Sequence, residues 1–166
     1  TIMGDLCGAL EAVHKAGIVH SNLHPANVMI AADGRAKLTD FGEAYLSGPD
    51  SHLNERELME ITEFVPAPDY KSPEAISGDV IDRRADLFSA GILLYLLATG
   101  KKPFPGTSPW TVAKKILEDE PLPPSSLNHE LSAQFDDMVA KALAKDPADR
   151  YQTARELYAA LQAAIK

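Results

Sequence analysis

The side chains best suited to chemistry are concentrated in two short stretches, His20-Ser21-Asn22-Leu23-His24-Pro25-Ala26-Asn27 and Asp40-Phe41-Gly42. An Asp carboxylate is a hard anionic oxygen donor and an Asn amide a neutral carbonyl donor. Asn22 offers two N–H donors and no accessible basic group, so it cannot serve as a proton acceptor in catalysis. A neutral imidazole at His24 supplies one donor and no fixed charge at pH 7. Cys7 is the only cysteine, which excludes a disulfide framework and a clustered-thiolate zinc site within the chain.

Composition narrows the function classes. The 166 residues include 16 Lys plus Arg against 24 Asp plus Glu, a net charge of −8, which argues against nucleic-acid binding. With 45% apolar and 24% charged residues, the chain has material for a substantial core and does not read as disordered. The longest apolar run, Leu87 to Ala98, would span about 18 Å as a helix, short of the roughly 30 Å hydrocarbon core of a bilayer. It predicts a buried helix. No basic segment followed by an apolar one opens the chain, so export is unsupported, and single-cysteine usage fits a reducing cytoplasm. Thr1 as first residue reads as a truncated start.

Elements that would carry these residues follow from periodicity. Ile2, Leu6, Leu10 and Val13 share a helical face that ends at Gly17. Val28 to Ala31 and Ala36 to Thr39 flank Asp33-Gly34, a pairing that predicts a β-hairpin because Gly tolerates positive φ. From Gly42 to Tyr70 no period is sustained, and Gly48-Pro49, Pro66 and Pro68 interrupt it; one helical turn is expected near Glu55 to Ile61. A loop of that length in a compact domain is functional or mobile.

Further on, Asp82 caps a central helix that reaches about Thr99 and stops at Gly100. Ser108-Pro109 opens a helix to about Glu118, and prolines 121, 123 and 124 mark a connector. Phe135, Met138, Val139, Ala142 and Leu143 share one face of a helix ended by Asp146-Pro147. Thr153 and Glu156 form a capping box for the last helix. The expectation is one mainly α domain, about seven helices with one small hairpin.

The order of His20 to Asn27 and then Asp40-Phe41-Gly42 resembles the catalytic loop and metal-binding motif of eukaryotic-type protein kinases. Ser72-Pro73-Glu74, Asp86 opening the apolar helix, Lys145-Asp146-Pro147 and Asp149-Arg150-Tyr151 continue the match in order, so the resemblance covers essentially the whole chain. The stretch from Ala142 to Tyr151 is similar to bacterial serine/threonine kinases. The resemblance implies the large, C-terminal lobe alone, residues 1–166, with a catalytic loop at 20–27, an activation-type segment at 40–74 and a helical subdomain at 82–166. No Gly-x-Gly-x-x-Gly occurs in the chain, and no upstream strand supplies a phosphate-binding Lys.

By the same resemblance Asn27 and Asp40 are the metal-holding pair, Met29 floors the adenine pocket or is a core methionine, and Mg²⁺ with ATP is the implied cofactor set, bound weakly or not at all. His20, Phe41 and Gly42 belong to the framework, Glu74 and Arg150 to a buried ion pair, and Asp86 to an anchor accepting N–H bonds from the catalytic loop. Departures are concentrated at the chemistry. Asn22 stands where the family carries its base Asp, His24 where it has a phosphate-contacting Lys, Ala67 where a Thr bonds to both groups, and Ser21 where many relatives have Arg.

General-base help, worth about 100- to 10,000-fold, is lost with the carboxylate. Coordinated loss favours a natural pseudokinase signalling by protein contact over an engineered Asn22. A fragment of an active or weakly active kinase and a purely structural kinase-fold module are the alternatives. Ser47, Ser51 and Thr62 are candidate phosphate acceptors or plain loop residues, and Trp110, with Phe104 and Pro105, is a docking surface or packed against the lobe. A missing small lobe, other protein partners and self-association through the face around Met29 are the expected contacts.

Overall fold

A computed structural model describes residues 1–41, 45–46 and 68–165. The expected turn at Glu55 to Ile61, Gly42, Ala67, Ser47, Ser51 and Thr62 lie outside these residues. Six α-helices are described: α1 (Ile2–Lys15), α2 (Pro73–Ser77), α3 (Arg83–Thr99), α4 (Pro109–Glu118), α5 (Ala133–Ala142) and α6 (Ala154–Ala164). Strands β2 (Val28–Ile30) and β3 (Ala36–Leu38) form the hairpin, with Met29 opposite Lys37, and Gly34 at φ 79° makes its turn.

A second ladder joins β1 (Ile18–Val19) to β4 (Tyr45–Leu46), antiparallel, with Val19 opposite Tyr45. Those two residues fall in the segment read from sequence as irregular, and two-residue strands carry no detectable period. They lie on the far side of the hairpin from their partner, so only chain geometry brings them together.

Helix α3 is the axis of the lobe. Residues Leu87, Phe88, Ala90 and Ile92 are fully buried, which explains why its sequence is apolar on all sides. Asp82 caps it by accepting from the Arg84 N–H at 2.8 Å, and Gly100 ends it at φ 70°. Gly91 lets α5 approach: a Cβ there would stand 3.0 Å from both the Ala142 Cβ and the Leu143 Cδ2.

Helix α4 has the Ser108 cap on the Thr111 N–H at 3.2 Å and Pro109 in its first turn. At its other end the Lys145 ammonium donates to the Ile116 carbonyl at 2.8 Å and sits 4.3 Å over the Phe104 ring. Burial holds the Lys145 pKa below its ordinary value. The packing surface of α1 is Met3, Leu6, Cys7 and Leu10, while Ile2 in the first turn is partly exposed and Val13 only half-buried. Helix α5 buries Phe135, Met138, Val139 and Ala142 but ends at Ala142, short of the Asp146-Pro147 step, with buried Leu143 as its C-cap. In α6 the Thr153 hydroxyl accepts from the Glu156 N–H, and Glu156 returns to the Gln152 N–H at 2.9 Å, one residue earlier than a standard capping box.

Candidate functional site

Asp86, in the first turn of α3, is fully buried. A buried carboxylate is tolerated only when paired and hydrogen-bonded. Its Oδ1 accepts from the Ser21 N–H at 2.8 Å, and its Oδ2 from the His20 N–H at 2.9 Å and from Nε2 of His14 at 2.7 Å. Sequence reasoning missed His14. Its position in the last turn of an amphipathic helix carries no signal of a partner 72 residues away. Its Nδ1 meets no partner among the described residues.

The two backbone bonds to Asp86 hold Ser21 at φ 60°, and Asp40 has the same φ. Left-handed backbone at a residue other than Gly costs on the order of 1–3 kcal/mol and persists where the surroundings impose it, commonly at functional sites. Here it bends the chain at both stretches singled out from sequence. Between them, Nε2 of buried His20 donates to the Thr39 carbonyl at 3.0 Å, so Nδ1 carries the lone pair that accepts from the Asn22 N–H at 3.3 Å. The Phe41 ring meets His20 edge-on at 4.8 Å. Thr39 in turn donates its N–H to the Asn27 carbonyl at 2.9 Å, placing Asp40 one residue beyond a bond to the loop.

Asn22, His24 and Asn27 are brought together directly. The Asn27 Nδ2 donates to the Asn22 carbonyl at 2.9 Å and contacts Nε2 of His24 at 3.0 Å. Asn22 contributes an amide and no base. Among the described residues no group of three or more His, Cys, Asp or Glu could hold a metal ion; of the pair expected to hold one, Asn27 is a buried amide and Asp40 an exposed carboxylate. Those two donor types would suit Mg²⁺, which keeps several waters and takes one or two carboxylates plus phosphate oxygens. Cys7 adds no nucleophile, since burial pushes its thiol up to about 12.

Arg150 and Glu74 form a two-pronged pair, Nη1 to Oε1 and Nη2 to Oε2, both at 2.7 Å. Arg150 also donates to the carbonyls of Ala144, Lys145 and Arg84 and lies 4.8 Å over the Phe88 ring. The pair ties α2, just after residues 68–72, to the turn before α6. The Lys71 ammonium reaches the Ser21 carbonyl at 3.1 Å, a second link from this segment to the loop that sequence did not signal.

Met29 is 59% exposed, which removes the core-methionine reading. Next to it, Ile2, Leu6, Val28, Ile30, Leu93 and Leu97 line an apolar cavity of about 200 Å³. Trp110 is 79% exposed and Phe104 buried, so only the phenylalanine packs against the lobe. No helix of the described residues is long and apolar enough to cross a membrane.

Residues 1–160 match the protein kinase domain family. The chain is 40% identical over 160 residues to serine/threonine-protein kinase PknB of Mycobacterium tuberculosis, covering 96% of this chain and 25% of that protein. It is 39% identical over 160 residues to PknB of Mycobacterium leprae, again covering 96% of this chain and 25% of the relative. A Streptomyces coelicolor protein named as a probable serine/threonine-protein kinase is 41% identical over 157 residues, covering 95% of this chain and 23% of the relative. The chain thus spans about a quarter of the length of the curated relatives it matches.

Proposed function

This chain belongs to the protein kinase domain family, and from that premise we propose that it is the large lobe of a cytoplasmic bacterial pseudokinase, signalling through protein contact without transferring phosphate. The observation that carries the reading is Asn22. Its backbone is held at both ends, N–H on His20 and carbonyl on Asn27, in the position where the family places a carboxylate base, and its side chain cannot take a proton. His24 adds no fixed cation for a transferring phosphate.

Asp40 and Asn27 would hold Mg²⁺, which when bound neutralises polyphosphate charge. Their oxygens are the contribution of this chain; nothing in its sequence supplies a glycine-rich phosphate loop. Mg²⁺-ATP should therefore bind the chain in the millimolar range or worse, roughly −4 kcal/mol or weaker. The partner surface on this reading is the apolar face with Met29, Ile30 and Leu97 exposed beside the cavity. A missing small lobe, a different protein or a second copy would cover it.

A fragment of an active kinase is the second reading, favoured by the intact anchors at Asp86 and at Arg150–Glu74. Incorporation of labelled phosphate into protein substrates tests both, using this chain and any longer protein that contains it. No incorporation above a no-protein control is expected, and Asn22→Asp should remain inactive because His24 and Ala67 are unchanged. Ordinary turnover by the Asn22→Asp variant would favour the second reading.

A further inference from the structure

Residues His24 to Asn27 close a 3₁₀ turn, with Pro25 in its first position and the Asn27 N–H on the His24 carbonyl at 3.0 Å. His24 is the extended residue that opens the turn, and its imidazole meets the amide of Asn27 three residues on. The amide orientation is fixed by its neighbour. The Asn22 carbonyl can only accept, so the atom 2.9 Å from it is Nδ2, and turning the amide over would set two oxygens against each other. The same Nδ2 lies 3.0 Å from Nε2 of His24. That ring nitrogen must then accept, with the imidazole proton on Nδ1. Both N–H groups of the amide are held inside the loop, and Oδ1 is left as its one atom available to a cation.

We infer that His24 is a positioning residue for a divalent cation, acting as a second acceptor that, with the Asn22 carbonyl, holds the Asn27 amide with Oδ1 as its cation-facing atom. A lysine, expected here from the resemblance, has three donors and no acceptor and cannot make this contact. The histidine is therefore a change of task at this position. It removes a phosphate-contacting cation and adds a second clamp on a metal-holding amide, the kind of outer contact that commonly orients metal ligands. The inference rests on the assignment of Asn27 and Asp40 as the cation-holding pair.

Two measurements on the ¹⁵N-labelled chain test it. The first is the scalar coupling across the hydrogen bond between Asn27 Nδ2 and His24 Nε2. The second is a titration with Mn²⁺ alone, following paramagnetic broadening at Asn27 and Asp40 in the unmodified chain and in two uncharged variants, His24→Leu without an acceptor and His24→Gln with one. A resolved coupling is expected. His24→Leu should weaken Mn²⁺ binding about 10- to 100-fold, while His24→Gln stays within about threefold of the unmodified chain. Equal affinity in His24→Leu, equal loss in both variants, or a missing coupling would each overturn the role of His24. A coupling without any Mn²⁺ broadening in the unmodified chain would instead overturn the cation-holding assignment, and the positioning role with it, while leaving the hydrogen bond in place.

Discussion

Replacing Arg150 by Met, a side chain of comparable reach without charge, should be the most destabilising single change in the lobe. The guanidinium uses all five of its N–H donors: two on the Glu74 carboxylate and one each on the carbonyls of Arg84, Ala144 and Lys145. Arg150 is 2% and Glu74 8% exposed, so water cannot replace what is removed. The orphaned carboxylate dominates the cost, about 3–5 kcal/mol for breaking a buried pair from one side. Against a total stability of about 5–15 kcal/mol, that is a large fraction.

At about 2–4 °C per kcal/mol for a domain of this size, the midpoint of thermal unfolding, followed by circular dichroism, should fall by roughly 6–20 °C. Glu74→Gln combined with Arg150→Met should be less damaging than Arg150→Met alone, because the double variant buries no unpaired charge. Arg150→Lys should recover little, since an ammonium cannot reproduce the planar fork. A midpoint drop below about 3 °C in Arg150→Met, or a double variant whose loss is the sum of the single losses, would refute the argument.

Asp82→Ala should cost about 1 kcal/mol through loss of the α3 cap. Burial pushes the Asp82 carboxyl up, but the hydrogen bonds and charge of Arg84 prevail and hold it below its ordinary 3.8; its contribution is present above that value and is lost as pH falls through the lower folded value, so the variant should show a flatter acid limb in a pH series of unfolding midpoints. Gly91→Val should cost about 1–3 kcal/mol by forcing α3 away from Ala142 and Leu143, measured by urea denaturation; unchanged stability would mean the two helices separate freely. Trp110→Ala should leave stability within about 0.5 kcal/mol because the ring is exposed, and a larger loss in the same assay would show that it packs.

Several features of this protein were decided within a few residues of chain and were therefore legible in its sequence. Caps at Asp82, Ser108 and Thr153, the stop at Gly100 and the hairpin turn at Asp33-Gly34 each depend on backbone donors or dihedrals no more than one turn away. The family, too, was legible, because motifs in order along the chain need no coordinates. What the tertiary structure decided are contacts between distant segments: His14 on Asp86, Lys71 on the Ser21 carbonyl, the β1–β4 ladder, and the exposure of Met29 and Trp110. No local propensity encodes them, since each depends on where two elements cross after the core has formed around α3. His24 shows both levels at once. Its identity marked a departure from the family, but only the turn that brings it against Asn27 shows that its nitrogen accepts a hydrogen bond there.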